Sequence, residues 1–120
     1  MSYIDGFLLP IAKDKIEAYQ KVAYQAGEVW KEHGALGYWE TVGDDLTAEG
    51  VVSFSDAAKC KENEVPVFAW IIYPSREARD QINAAVFADP RINNMMDKDD
   101  PLFDCAQMAY GGFKTIVCFE

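Results

Sequence analysis

The stretch VPVFAWIIY, residues 65 to 73, constrains the fold more than any other part of the chain. It is apolar at odd and even positions alike, between Glu64 and Pro74. A strand with one wet face alternates apolar and polar residues. A strand apolar on both faces lies inside a sheet that is covered on both sides. The run is too short to cross a bilayer, which takes about 20 apolar residues. It therefore predicts a central strand, and the rest of the chain must supply neighbours and two covering layers.

The flanking segments supply them. YIDGFLLP (3–10) is rich in strand formers and is expected to stop at Pro10. Asp14 is the expected N-cap of a long helix. Its apolar positions, Ile16, Tyr19, Ala23, Ala26 and Trp30, recur at steps of three and four, which is the stripe of an amphipathic helix. The same stripe reaches His33, and Gly34 then stops the helix. ALGYWETV (35–42) reads as a second strand. A polar insertion follows at about 43–64, with SDAAKCKE as one short helix, and its length marks it as a segment that can carry function. After the central strand, Ser75 is placed to cap a helix over 75–89 that buries Ala78, Ile82, Ala85 and Val86 and ends at Pro90. RINNMMDKDDPLFD reads as a helical turn and an acidic loop, and AYGGFKTIVCFE (109–120) as a last strand with a bulge at Gly111-Gly112.

The order is β-α-β-β-α-β in a single expected domain, 1–120. This predicts an α+β, ferredoxin-like βαββαβ sandwich: a four-stranded antiparallel sheet with two helices on one face. The other face is then bare and apolar. A second copy of the chain is its simplest cover.

Composition narrows the function. The 120 residues carry a net charge of -9, with 11 Lys and Arg that are scattered along the chain. That field repels phosphate backbones, so no nucleic-acid partner is expected, and a cationic or neutral small ligand suits it better. Cys60, Cys105 and Cys118 are odd in number and form no CxxC, so neither a disulfide framework nor a zinc site is expected. Free thiols fit a cytoplasmic location. MSYIDGFLLPIAKDK lacks the basic start of a signal peptide, and no membrane span is expected.

YIDGFLLP, AGEVWKEHGALGYWE, VFAWIIYPSREARDQINAAVFADPR and MAYGGF together resemble the YbaA-like family of small bacterial proteins of unknown function. The resemblance covers nearly the whole chain. It implies a ferredoxin-like subunit of the dimeric α+β barrel superfamily, in which two sheets face each other. That superfamily includes cofactor-independent monooxygenases of antibiotic biosynthesis, haem-handling enzymes and proteins of no assigned activity. It supplies no catalytic residue to carry over.

Strand alternation sorts the polar candidates. Tyr3 and Asp5 share a face of strand one, Tyr38 and Glu40 a face of strand two, and Tyr110 and Lys114 a face of strand four. An aspartate in a central strand is costly unless it is paired or wet, so Asp5 is the most informative polar residue. Pointing into a barrel, these six would form a polar lining with aromatic walls, the usual form of a small-molecule site. Alternatively Asp5 pairs with Lys114 and serves only the fold. Trp70 shares a face with Phe68 and Ile72 and is expected near a cavity or a dimer seam.

His33, the sole histidine, has two readings. At a helix C-terminus it can bond free carbonyls and complement the dipole. It can also serve as a general base or a haem ligand, with Glu32 or Glu40 orienting it. Asp97, Asp99, Asp100 and Asp104 lack the glycine turn and terminal glutamate of a calcium loop, so no metal site is expected there. Cys60, between two lysines, is the thiol expected to ionise most easily. The sequence thus favours a homodimer that binds a small, partly aromatic ligand without a cofactor. The alternative is a cofactor-independent monooxygenase-like enzyme in which Asp5 or His33 takes a proton from the substrate.

Overall fold

The computed structural model describes residues 1–95 and 99–120. Its elements are β1 (Tyr3–Ala12), a 3-10 turn (Lys13–Lys15), α1 (Ile16–Glu32), β2 (Gly37–Val42), α2 (Phe54–Ala57), β3 (Glu64–Tyr73), α3 (Arg76–Phe87), α4 (Pro90–Asn93), a second 3-10 turn (Cys105–Gln107) and β4 (Ala109–Lys114). The strands form one antiparallel sheet in the order β2-β3-β1-β4, the ferredoxin-like arrangement. β3 is central, as its sequence demands.

β1 does not stop at Pro10 but runs on to Ala12. Pro10 lies opposite Pro66 of β3. Neither residue has an N–H, so the two occupy a pair that exchanges no hydrogen bonds, and the ladder loses nothing. The outward carbonyl of Pro66 accepts instead from Gly43 N, 2.9 Å away. Because β1 is longer than expected, Asp14 falls inside the 3-10 turn, and α1 starts without a side-chain cap. Gly34 follows α1 with φ of +116°, the left-handed conformation expected of it. Ser75 caps α3 by accepting from Ala78 N.

Pro90 does not simply end α3. That helix closes at Phe87, and Pro90 opens the single turn α4, for which Asp89 is the N-cap. β4 pairs with β1 without interruption from Ala109 to Lys114, so Gly111-Gly112 forms no bulge. The strand stops at Lys114 because its only neighbour begins at Tyr3, the residue opposite. Ile116, Val117 and Phe119 beyond it are exposed.

The helices cover the sheet face that carries Asp5, Phe7, Leu9 and Ile11. The core beneath them is two clusters. One gathers Val29, Ile71, Tyr73, Ile82 and Val86; the other gathers Leu9, Ile11, Tyr19, Ala23 and Val67. The opposite face is open. Trp39 (49% exposed), Phe68 (44%) and Phe113 (61%) lie on it beside Trp70, and Phe54 from the insertion packs against Phe68 at 5.7 Å. Trp39 and Trp70 stack with ring centres 5.7 Å apart and planes inclined by 12°. Among the described residues, no helix is long and apolar enough to cross a membrane.

Candidate functional site

Registers place the inward residues in transverse rows. One row reads Glu40, Ala69, Phe7, Tyr110; the next reads Tyr38, Ile71, Asp5, Gly112. Tyr3, Asp5, Tyr38, Glu40, Tyr110 and Lys114 therefore share one face: alternation pairs them within each strand, and the register joins the strands. It is the face under the helices, not the bare face that a partner sheet would meet. Trp70 stands on that other face, paired in register with Trp39 and Gly6.

A cavity of about 490 Å³ lies between the helices and this face, in the gap between the two core clusters. The small side chain of Ala69 leaves room for it. Its walls are apolar, including Phe7, Leu9, Trp30, Phe87, Met95 and Met108, and the two strand carboxylates Asp5 and Glu40 both border it.

Asp5 is fully buried, and all its oxygens are engaged. Oδ1 accepts from Arg79 Nη1 at 2.8 Å. Oδ2 accepts from Asn83 Nδ2 at 3.1 Å and lies 3.2 Å from Tyr73 Oη. Asn83 Oδ1 in turn accepts from Trp30 Nε1 at 3.1 Å and lies 2.8 Å from the Tyr73 hydroxyl. Burial, reinforced by the charge of Asp5, pushes the Tyr73 hydroxyl well above the ordinary tyrosine value. Arg79 also donates to Tyr110 Oη at 2.9 Å, and its guanidinium sits 4.9 Å from the centre of the Tyr3 ring. That ring lies over Gly112, where a Cβ would come within 2.5 Å of Tyr3 Oη. Asp5 thus pairs with Arg79 of α3, not with Lys114. Lys114 is exposed and stands opposite Tyr3, two residues further along β4 than Asp5's neighbour Gly112.

Glu40 has a different shell. It accepts from Tyr19 Oη at 2.7 Å and from Tyr38 Oη at 2.6 Å. Burial raises its carboxyl above the ordinary glutamate value, and the two phenols only partly offset this. Burial, with Glu40 beside them, pushes both tyrosine hydroxyls far above their usual range. Glu40, Tyr19, Ala23, Tyr38 and Trp39 border both the cavity and a surface groove between α1 and β2, so the carboxylate stands at the boundary of the two spaces.

His33 lies elsewhere. Its Nε2 is 3.0 Å from Asp89 Oδ2, and Arg91 bridges Asp89 at 2.8 Å and Glu32 at 2.6 Å. The group ties the end of α1 to the α3–α4 junction. Arg91 first, then His33, holds the Asp89 carboxyl well below its usual range. Asp89, rather than Glu32 or Glu40, is the carboxylate at His33, and His33 borders neither the cavity nor the groove. Cys60 runs opposite to its expected activation: burial, then Glu64, pushes its thiol up. Of the acidic loop, Asp97 lies outside the described residues; Asp100 pairs with Lys15 at 3.3 Å and Asp104 caps the turn at Ala106.

Arg79, Asn83 and Tyr73 are site residues that sequence reasoning did not single out, and Tyr19 was read only as a position of the apolar stripe. A signal was present. Arg79, Asn83 and Val86 are spaced i, i+4, i+7 along α3, so two polar side chains share the stripe of a buried valine.

Residues 2–105 match the model of the family described as "Protein of unknown function (DUF1428)". The chain is 40% identical over 117 residues to the uncharacterized protein YbaA of Escherichia coli K12, with 98% of each chain covered. Among solved structures it resembles a NIPSNAP domain protein from Burkholderia xenovorans (TM-score 0.59, 13% identity, 98% of this chain and 99% of that one). It also resembles a protein from Nitrosomonas europaea described as a candidate antibiotic biosynthesis monooxygenase (TM-score 0.57, 12% identity, 96% and 90%). At these identities the structural likenesses speak for the fold alone.

Proposed function

We propose a binding function for this chain, which belongs to the DUF1428 family: it holds a small, partly aromatic molecule between its sheet and its helices, and it does so as a homodimer. The cavity carries the reading. Apolar walls with a few convergent polar groups are how small-molecule sites are built. Its volume lies within the range of ligand pockets, about 300–1,000 Å³. The open face supports the dimer, because stacked Trp39 and Trp70 with Phe68 and Phe113 form an apolar surface that water wets poorly. Two such sheets face to face would give the barrel. The three cysteines are free, which supports a reducing compartment such as the cytoplasm.

Native mass spectrometry of protein purified from its own host tests both parts. The expected result is a dimer that releases a small molecule on denaturation, with the molecule absent from an Ala69→Phe variant that fills the cavity. A monomer at micromolar concentration that carries no ligand and takes up no 2-naphthol would overturn the reading.

A cofactor-independent monooxygenase is the second reading. One observation favours it: Asp5, its expected base, borders the cavity in a chain of polar groups that includes Tyr110 and Tyr73. Oxygen uptake with a dihydroxynaphthalene, lost in Asp5→Asn at unchanged folding, would support that reading over simple binding.

A further inference from the structure

The two carboxylates that border the cavity are not equivalent in charge. Asp5 is neutralised by Arg79 at 2.8 Å. Glu40 has two phenols and no cation. Among the described residues, no lysine or arginine lines the cavity. Glu40 is only partly buried, but a half-buried carboxylate without a counter-charge is still unfavourable, and a binding site is where such a deficit is tolerated. The shell is also incomplete. An ionised carboxylate offers about four acceptor positions, and Tyr19 and Tyr38 take two.

We infer that the Glu40 end of the cavity receives the ammonium group of an organic amine whose apolar part fills the space toward Leu9, Ala26 and Met108. The inference rests on the cavity-binding reading above and names the ligand's chemical class. Three features support a cation over its alternatives. The two phenols donate to Glu40, one to each oxygen, and leave a lone pair on each for an N–H donor. Tyr19 and Tyr38 reach the carboxylate through their hydroxyls, and Trp30, tilted against Tyr38 at 6.0 Å, lines the same cavity, so aromatic rings that attract cations border the space. Glu40 also borders the surface groove, on a chain whose net charge of -9 draws cations toward it. An anionic ligand would instead meet two carboxylates, of which only one is neutralised.

The test is calorimetric titration of the intact protein with three probes of one shape: 2-phenylethylammonium, 2-phenylethanol and phenylacetate. Mildly alkaline buffer keeps the amine protonated and carboxylates ionised. The ammonium probe is expected to bind about tenfold or more tighter than the alcohol, as one charge-assisted hydrogen bond implies, with phenylacetate weakest. Glu40→Gln should erase that preference by weakening the ammonium probe the most. If the alcohol binds as tightly as the amine, or if Glu40→Gln keeps the amine's advantage, the inference is overturned while the cavity reading stands. If none of the three binds, or all bind equally well to Ala69→Phe, the cavity reading falls and takes this inference with it. The wild-type comparison decides even if a variant fails to fold.

Discussion

The two ends of the cavity answer the same problem differently. Both place a carboxylate on an inward strand position of a sheet. At the Asp5 end the chain supplies a guanidinium, an amide and a phenol, so the carboxylate has three donors and a counter-charge. At the Glu40 end it supplies two phenols and stops. The first shell is closed by a cation. The second has no cation of its own and is the open one. The difference lies not in the kind of residue but in the number and charge of the donors around it.

The largest effect should come from breaking the closed end. Asp5→Ala removes the buried partner of Arg79 and leaves the guanidinium only Asp80 and Tyr110, and removing one member of a buried pair costs up to about 3–5 kcal/mol. Urea denaturation should show it, with Asp5→Asn less damaging because an amide keeps part of the network. A loss below about 1 kcal/mol, the level of an exposed pair, would mean that Arg79 escapes to solvent and that the end is not closed.

Gly112→Ala sharpens the same point with a smaller loss. The added methyl would displace the Tyr3 ring from beneath Arg79, and overpacking of this kind costs about 1–3 kcal/mol. A combined variant with Tyr3→Ala should recover part of that loss in the same denaturation series.

At the open end the expected change in stability has the opposite sign. Burial raises the Glu40 carboxyl, so the folded chain holds that proton more tightly than the unfolded one. The resulting stability is present below the unfolded value of about 4.3 and is lost as pH rises through the raised folded value. Glu40→Gln cannot suffer this loss. In thermal melts it should match or exceed the parent at neutral pH, with the difference closing as the pH falls. A variant less stable than the parent at every pH would show that the phenols more than compensate for burial.

His33→Gln should have the least effect. It removes one part-exposed contact to Asp89, to which Arg91 remains bound, so a loss of at most about 1 kcal/mol is expected, with no change in ligand affinity. A large loss of affinity at unchanged melting would place His33 in the function after all.

The architecture was legible because it rests on periodicity. The doubly apolar β3, the three-and-four stripe of α1 and the Ser75 cap each signal locally what they become. The strand ends were less so. Pro10 reads as a stop, yet a proline in a pair that exchanges no hydrogen bonds is harmless, and register cannot be seen in one strand alone. The site was half legible. Alternation paired Tyr38 with Glu40 and Tyr3 with Asp5 on faces of their own strands, but it could not say that these faces coincide or that the helices cover them. Nor could it find Arg79, which lies 74 residues from Asp5 and meets it only when α3 folds back over β1. Charge balance within a cavity depends on such distant partners, so the contrast between its ends emerges only in three dimensions.

The paired indoles on the bare face have a spectroscopic consequence. Trp39 and Trp70 are near enough for their excited states to couple, and any twist of one indole axis over the other makes that coupling optically active. A signed pair of bands in circular dichroism would then report on that surface without any label. Dilution would shift or erase the signal if a neighbour presses the rings together, and would leave it untouched if the stack holds its own shape.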